Sequence, residues 1–277
     1  MANSTTPTWL EDIERISEKV IAPAAAETDA AGAFPRAAVT AMGKAGLLGL
    51  ISDKEVGGLG EGHRAATRVV ERIARDCAST AMVVCMHTCG TAVIEAFGSR
   101  EAREAVARGE HLTTLAFSEV GSRSQFWAPL STAVSVNGGV RLDAKKSWST
   151  SAGQADSYVW SSKPLAGDGA STIWLVPAKA AGLRVNKPFD GMGLRGNCSS
   201  PIEAEGVMVG ADAMLGADGQ GFDIMMGDVL SYFQLMSAGG SLGISEAALQ
   251  KTISHLTSTR YEHHKEIRGV RPSVCNN

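Results

Sequence analysis

The spacing of apolar positions changes twice along the chain. Ile13, Ile16, Val20 and Ile21 recur at helical intervals, and Pro23 is expected to limit that helix soon afterwards. Phe34-Pro35 opens a second helical stretch through Met42, Leu47 and Leu48, and the Gly57-Gly58-Leu59-Gly60 loop interrupts it. Val69, Val70, Ile73 and Ala74 then share one face, and Ala81 to Phe97 carries no charge before Glu95. A helix that is apolar all round is expected to be buried all round. In the middle of the chain the period drops to two. Val134 and Val136 answer Val140 and Leu142 across Asn137-Gly138, a strong two-residue hairpin signal. Short strands are also expected at Tyr158 to Trp160, Thr172 to Val176, Leu183 to Val185 and Val207 to Val209, forming a small sandwich or barrel. Helical spacing returns with Phe222, Met225, Met226, Val229, Phe233 and Met236. The small run Ser237 to Ser241 would let another helix approach closely, and Ala247 to Leu256 continues the pattern.

Proline placement divides the chain in the same way. None falls between Pro35 and Pro129 or between Pro201 and Pro272, whereas Pro129, Pro164, Pro177, Pro188 and Pro201 crowd the centre. The reading is an α+β chain with an N-terminal helical domain over 1–112 and a β-domain over 113–217. The first long helix of a C-terminal helical domain covers 218–263, and 264–277, which has no apolar stripe, is expected to be disordered.

With 277 residues, 44% of them hydrophobic, the chain can bury a large core. A net charge of -3 gives no reason to expect nucleic acid as a partner. No apolar run is expected to reach the roughly 20 residues of a membrane span. Met1 to Trp9 resembles neither a signal nor a transit peptide, so a cytoplasmic location is expected. Five cysteines without framework spacing fit reduced thiols. Cys85, His87 and Cys89 form a tempting cluster with Cys77 nearby. On a helix, however, His87 points away from the face that Cys85 and Cys89 share, so buried thiols are expected rather than a metal site.

Several segments match one known family in order. They are Phe34-Pro35, Leu47 to Leu50, Gly57 to Gly60, Ala116-Phe117-Ser118-Glu119, Lys146-Ser147-Trp148-Ser149-Thr150, Gly191 to Gly196, and Leu215-Gly216 with Gly219, Gly221 and Phe222. Across residues 10 to 263 the chain resembles the acyl-CoA dehydrogenases. The resemblance implies FAD as cofactor and α,β-desaturation of an acyl thioester, with a carboxylate taking the Cα proton and hydride leaving Cβ. It implies cofactor contacts from Leu115, Ala116, Phe117, Ser118, Trp148, Ser149 and Thr150, and substrate contacts from Ser122, Tyr232 and Phe233. An isoalloxazine needs an aromatic wall and a few directed hydrogen bonds. Trp148 would supply the wall, Thr150 the bond at the N5 edge, and Leu115 to Phe117 with Ser118 the bonds at the pyrimidine edge. Strand propensity accounts equally for Trp148 and Thr150 taken alone. A small-molecule substrate of the acyl-CoA type, an electron-accepting flavoprotein and a homo-oligomer are implied as partners.

The pattern departs from the family in three places. The stretch Leu230-Ser231-Tyr232-Phe233-Gln234 has no carboxylate where some relatives carry their base, so the catalytic residue is unassigned. Asp228 is better explained as a helix-surface residue, and Glu119 as a structural carboxylate bound to backbone. Ser118-Glu119-Val120-Gly121-Ser122-Arg123 is shorter than the family's signature and lacks its proline. After Arg260-Tyr261-Glu262-His263 the resemblance stops where relatives continue into a helical bundle. A chain cut short is expected, with the Phe222 to Met236 face left exposed. Two alternatives stand beside the desaturase: a flavin-dependent monooxygenase of the same fold, favoured by the missing base and by His87 beside Met86, and a non-catalytic interaction protein.

Overall fold

The computed structural model describes residues 7–122 and 125–259. Its helices α1 (Thr8–Ile16), α2 (Ala22–Ala31), α3 (Arg36–Lys44), α4 (His63–Ala74), α5 (Ala78–Phe97) and α6 (Arg100–Ala107) come first. Strands β1 (Thr113–Ala116), β2 (Thr132–Val136), β3 (Gly139–Ser149), β4 (Ser157–Ser162), β5 (Thr172–Pro177), β6 (Leu183–Val185), β7 (Ser200–Val209) and β8 (Met214–Leu215) follow. Helices α7 (Gly221–Ile224) and α8 (Leu230–Ser258) come last. The chain is α+β, as its periodicity implies. Arg260 to His263 and the tail 264–277 lie outside the described residues.

Pro23 does not end the first helix. A π-helical turn, Ser17–Ile21, joins α1 to α2, and its wide ring closes through the Ala22 N–H donating to Ser17 O. That places Pro23 in the first turn of α2, where a missing N–H costs nothing, and the helix continues to Ala31.

The strands form two four-stranded sheets, β1-β4-β5-β8 and β2-β3-β7-β6. The hairpin forms as its signal implies: Val136 pairs with Gly139, and Gly138 takes the positive φ that the turn requires. In the first sheet β1 runs parallel to β4 and lies at the sheet's edge. Asp218 closes the way into α7, accepting from the backbone N–H groups of Leu165, Ala166 and Gly167 and from the Thr172 hydroxyl. Burial alone would raise its carboxyl, but these four donors outweigh burial and hold it at about 2.

Helix α5 runs through the core. It is 20 residues long and apolar enough to cross a membrane by length and composition, which corrects the expectation that no run reaches that length. Protein surrounds most of it here. Val83, Cys85, Cys89, Val93 and Ile94 are buried, and Gly90 lets the helix press against Thr113 of β1. His87 lies inside this contact, away from any cleft. Its Nδ1 accepts the Thr113 N–H at 3.2 Å, leaving Nε2 to donate to Leu48 O at 2.9 Å. Helix α8 packs along α4 through Gly239 and Gly243, where a Cβ would collide with the carbonyls of Thr67 and Glu71. The close approach expected of the run Ser237 to Ser241 is realised at Gly239, and Gly243 beyond the run adds a second contact. Of the face expected to be bare, Met225, Val229 and Met236 are buried while Phe222 and Phe233 are partly exposed. Leu235, Leu242, Leu249 and Leu256 form a second exposed stripe along α8.

Burial pushes His87 from 6.5 to about 4, against the opposing pull of the Leu48 carbonyl. The unfolded chain therefore binds a proton that the folded one refuses. The His87 contribution is complete above pH 6.5 and declines by up to about 3 kcal/mol as pH falls towards 4. Half-buried His111, also lowered by burial, acts in the same direction. Urea unfolding between pH 7 and pH 4.5 is expected to show this decline, and a His87→Gln variant to flatten it.

Candidate functional site

An apolar cleft of about 150 Å³ opens where the edge of the first sheet meets the start of α8. Met86 of α5, Leu115, Phe117 and Ser118 at the end of β1, Phe126, Trp148, and Met225, Val229, Leu230 and Phe233 line it. A second π-helical turn, Met225–Val229, separates it from a larger cavity of about 660 Å³. Met225 and Val229 face the cleft, whereas Gly227, Asp228, Ser231 and Tyr232 face the larger cavity. The larger space has a mixed-charge rim that includes Lys54, Glu61, Glu95 and Arg103. The smaller one is the candidate site because the residues singled out from the sequence converge there.

Leu115, Phe117, Ser118, Trp148 and Phe233 meet in the cleft. Ala116 alternates to the opposite side of β1 and is buried, and Ser149 is buried in β3. Thr150 follows the last residue of β3, and its hydroxyl lies 3.3 Å from that of Ser199. Ser122 and Tyr232 are not brought to the cleft. The Ser122 hydroxyl donates to Glu119 O at 3.3 Å. The Tyr232 ring stacks on His63, with centroids 3.7 Å apart, and His63 Nε2 lies 2.9 Å from the Ser231 hydroxyl.

Trp148 owes its direction to a β-bulge. The ladder between β3 and β7 shifts register between Lys146 and Ser149, so Trp148 leaves the alternation that Val140, Leu142 and Lys146 obey. The residue is 63% exposed, and its ring stacks on Phe189 at 3.8 Å. Two residues earlier, Lys146 is fully buried. Its Nζ donates to Glu119 Oε1 at 2.6 Å, Ser161 O at 2.6 Å and Ser161 Oγ at 3.0 Å. Glu119 also accepts from the N–H groups of Leu130 and Ser131, at 2.5 and 2.9 Å, and from the Ser131 hydroxyl. The carboxylate is structural, as expected. Burial lowers the Lys146 ammonium to about 8 although Glu119 supports its charge. Burial would raise Glu119, but the Lys146 charge prevails and lowers it.

Lys146 was open to discovery from sequence, since alternation from Val140 and Leu142 places it on the inward face, where a lysine demands a partner. Phe126 and Phe189 sit in loops without a period and gave no such signal.

The lining suits a flat ligand with an apolar body and one hydrogen-bonding edge. Trp148 offers an aromatic face, and Met86, Leu115, Phe117 and Phe126 offer apolar walls. As the edge strand, β1 leaves one row of backbone groups without a neighbouring strand.

The acyl-CoA dehydrogenase N-terminal domain matches residues 6–109, and the acyl-CoA dehydrogenase middle domain matches residues 114–207. The cyclohex-1-ene-1-carbonyl-CoA dehydrogenase of Geobacter metallireducens is 30% identical over 270 residues, 95% of this chain and 70% of that protein. The chain belongs to the acyl-CoA dehydrogenase family. The human mitochondrial short-chain specific acyl-CoA dehydrogenase is 31% identical over 254 residues, 89% of this chain. The match spans 61% of that relative's length. A glutaryl-coenzyme A dehydrogenase solved with glutaryl-CoA superposes with a TM-score of 0.85 at 25% identity, covering 95% of this chain and 69% of that one. Within this acyl-CoA dehydrogenase fold, the cleft lies where the region matched by the middle domain meets α8.

Replacing Lys146 by Met would leave the Glu119 carboxylate buried and unpaired. The expected loss is about 3–5 kcal/mol in chemical denaturation at pH 7.

Proposed function

We propose that the cleft seats the isoalloxazine ring of FAD beside the acyl group of an acyl thioester, which the protein oxidises between Cα and Cβ. The observation that carries this reading is the convergence of Leu115, Phe117, Ser118 and Trp148 with Leu230 and Phe233 around one space, in a chain of this family. FAD, when bound, supplies the acceptor for the hydride that leaves Cβ.

This chain's residues do the holding. Trp148 gives the ring a face to lie on, and the Ser118 hydroxyl with the open edge of β1 offers hydrogen bonds to its polar rim. Met86, Phe126, Leu230 and Phe233 keep water from the acyl group, which strengthens every electrostatic interaction at the thioester. Among the described residues no carboxylate lines the cleft. Asp228, raised by burial, faces the larger cavity. The roles proposed for these residues are therefore cofactor seating and acyl binding. Transfer of the electrons onward to a partner flavoprotein and assembly as a homo-oligomer belong to the same reading.

A second reading is an oxygen-activating flavin monooxygenase of the same fold, whose chemistry needs no carboxylate base. His87 lends it nothing, since both ring nitrogens are engaged in the core.

Titration of the 277-residue chain with FAD, followed by flavin fluorescence and visible absorption, tests the cofactor. Binding is expected, with Trp148→Ala about tenfold weaker, the scale of one aromatic stack. Anaerobic bleaching of the flavin by a short-chain acyl-CoA would support desaturation. Oxygen consumption with NADH and a reductase, without that bleaching, would favour the monooxygenase. A chain that takes up no FAD would overturn both.

A further inference from the structure

Three separate stretches of chain converge on Lys146 and its partner Glu119. The loop before β2 brings Leu130 and Ser131, β4 brings Ser161, and the segment after β1 brings Glu119. Besides the side-chain bonds of Glu119 to Lys146, Leu130 and Ser131, that last segment has little to hold it. It lies outside the ladder of β1, and its backbone is tied to β3 by an isolated bridge, Glu119 to Lys146, made of two bonds. In those bonds the Ser147 N–H donates to Ser118 O at 2.9 Å, and the Val120 N–H donates to Lys145 O at 3.1 Å. Both residues flanking this junction on the cleft side, Ser118 and Trp148, line the candidate site.

We propose that the buried Lys146–Glu119 pair is a positioning device that fixes where Ser118 and Trp148 stand in the cleft. Its relevance to cofactor rests on the flavin-seating reading above.

The choice of a charged pair is informative. Two apolar side chains of similar volume would join the same segments with no desolvation penalty, and such replacements often stabilise a protein. Apolar contact does not set direction, whereas the ammonium here has three of its donors engaged by Glu119 and Ser161 and cannot slide along the strand. Lys146 is also where the bulge begins. A shift of one residue in register would turn Trp148 to the other face of the strand and carry Ser118 with it through the Ser147 bond. The pair therefore pins the bulge, and the bulge aims the indole.

The test separates aim from stability. The double variant Glu119→Gln/Lys146→Met removes both charges and leaves no buried ion without its partner, so it is expected to fold, checked by far-ultraviolet circular dichroism and thermal unfolding. Wild type and variant are labelled with 5-fluorotryptophan, and the Trp148 fluorine resonance is assigned from a Trp148→Phe sample. In the folded double variant that resonance is expected to shift and broaden, while those of Trp9 and Trp174 stay in place. FAD is expected to bind at least tenfold more weakly, with altered visible circular dichroism of the bound flavin. A folded double variant whose Trp148 resonance is unmoved overturns the inference. Should the double variant not fold, Ser131→Ala, which removes one hydroxyl from Glu119, is expected to move the same resonance, and no movement there overturns it too. The fluorine readout needs no cofactor. A wild-type chain that fails to bind FAD therefore counts against the flavin reading alone, and the Trp148 resonance still decides the role of the pair.

Discussion

Helix α5 offers water little surface, and the rest of the molecule is arranged to satisfy that constraint. Helix α4 and the start of α8 cover it on one side, and the edge strand β1 covers it on another through the Gly90–Thr113 contact. A sheet edge and a helix do not normally share hydrogen bonds, yet His87 supplies one here by accepting the Thr113 N–H. The helical and β-regions are therefore joined by a polar link inside an apolar contact. The cleft is a by-product of that junction. It forms where β1 runs past α5 and Met86 looks out between the sheet and α8.

Much of this was legible in the chain itself, wherever one local rule decided the outcome. The Asn137-Gly138 turn set the β2–β3 register, the uncharged run to Phe97 announced a buried helix, and the glycines of α8 announced a close neighbour. Pro23 misled because a π-turn upstream moved it into the first turn of a helix, and no periodicity of side chains reveals a π-turn in advance. The same limitation separated Phe233 from Tyr232. Adjacent residues on a helix point about 100° apart, so which of them meets the cleft depends on helical phase, and the π-turn at Met225–Val229 lies immediately upstream.

The two buried charges show the reverse case. Glu119 is structural, as its setting implies, but the segment Lys146-Ser147-Trp148-Ser149-Thr150 taken as a motif does not reveal its partner. A lysine at an inward strand position is a stronger statement than the motif, since an ammonium cannot stay there unless something pairs with it. Loop aromatics such as Phe126 and Phe189 belong to a different class. Their places depend on the closed tertiary structure, and nothing local encodes them.

The π-turn beside the cleft also bears on how this helix could change length over evolution. Five residues close a ring that four would close in an α-helix, so Met225–Val229 holds one residue more than a regular turn needs. Loss of a single residue there would let the segment relax into ordinary α-helix. Everything from Leu230 onward would keep its phase, and Gly239 and Gly243 would still meet α4. The same loss within Leu230 to Gly243 has no such slack to draw on and would rotate the remaining glycines off their contact. The boundary of the cleft is thus the place just before α8 where the chain can lose a residue and stay in register with the body of the protein.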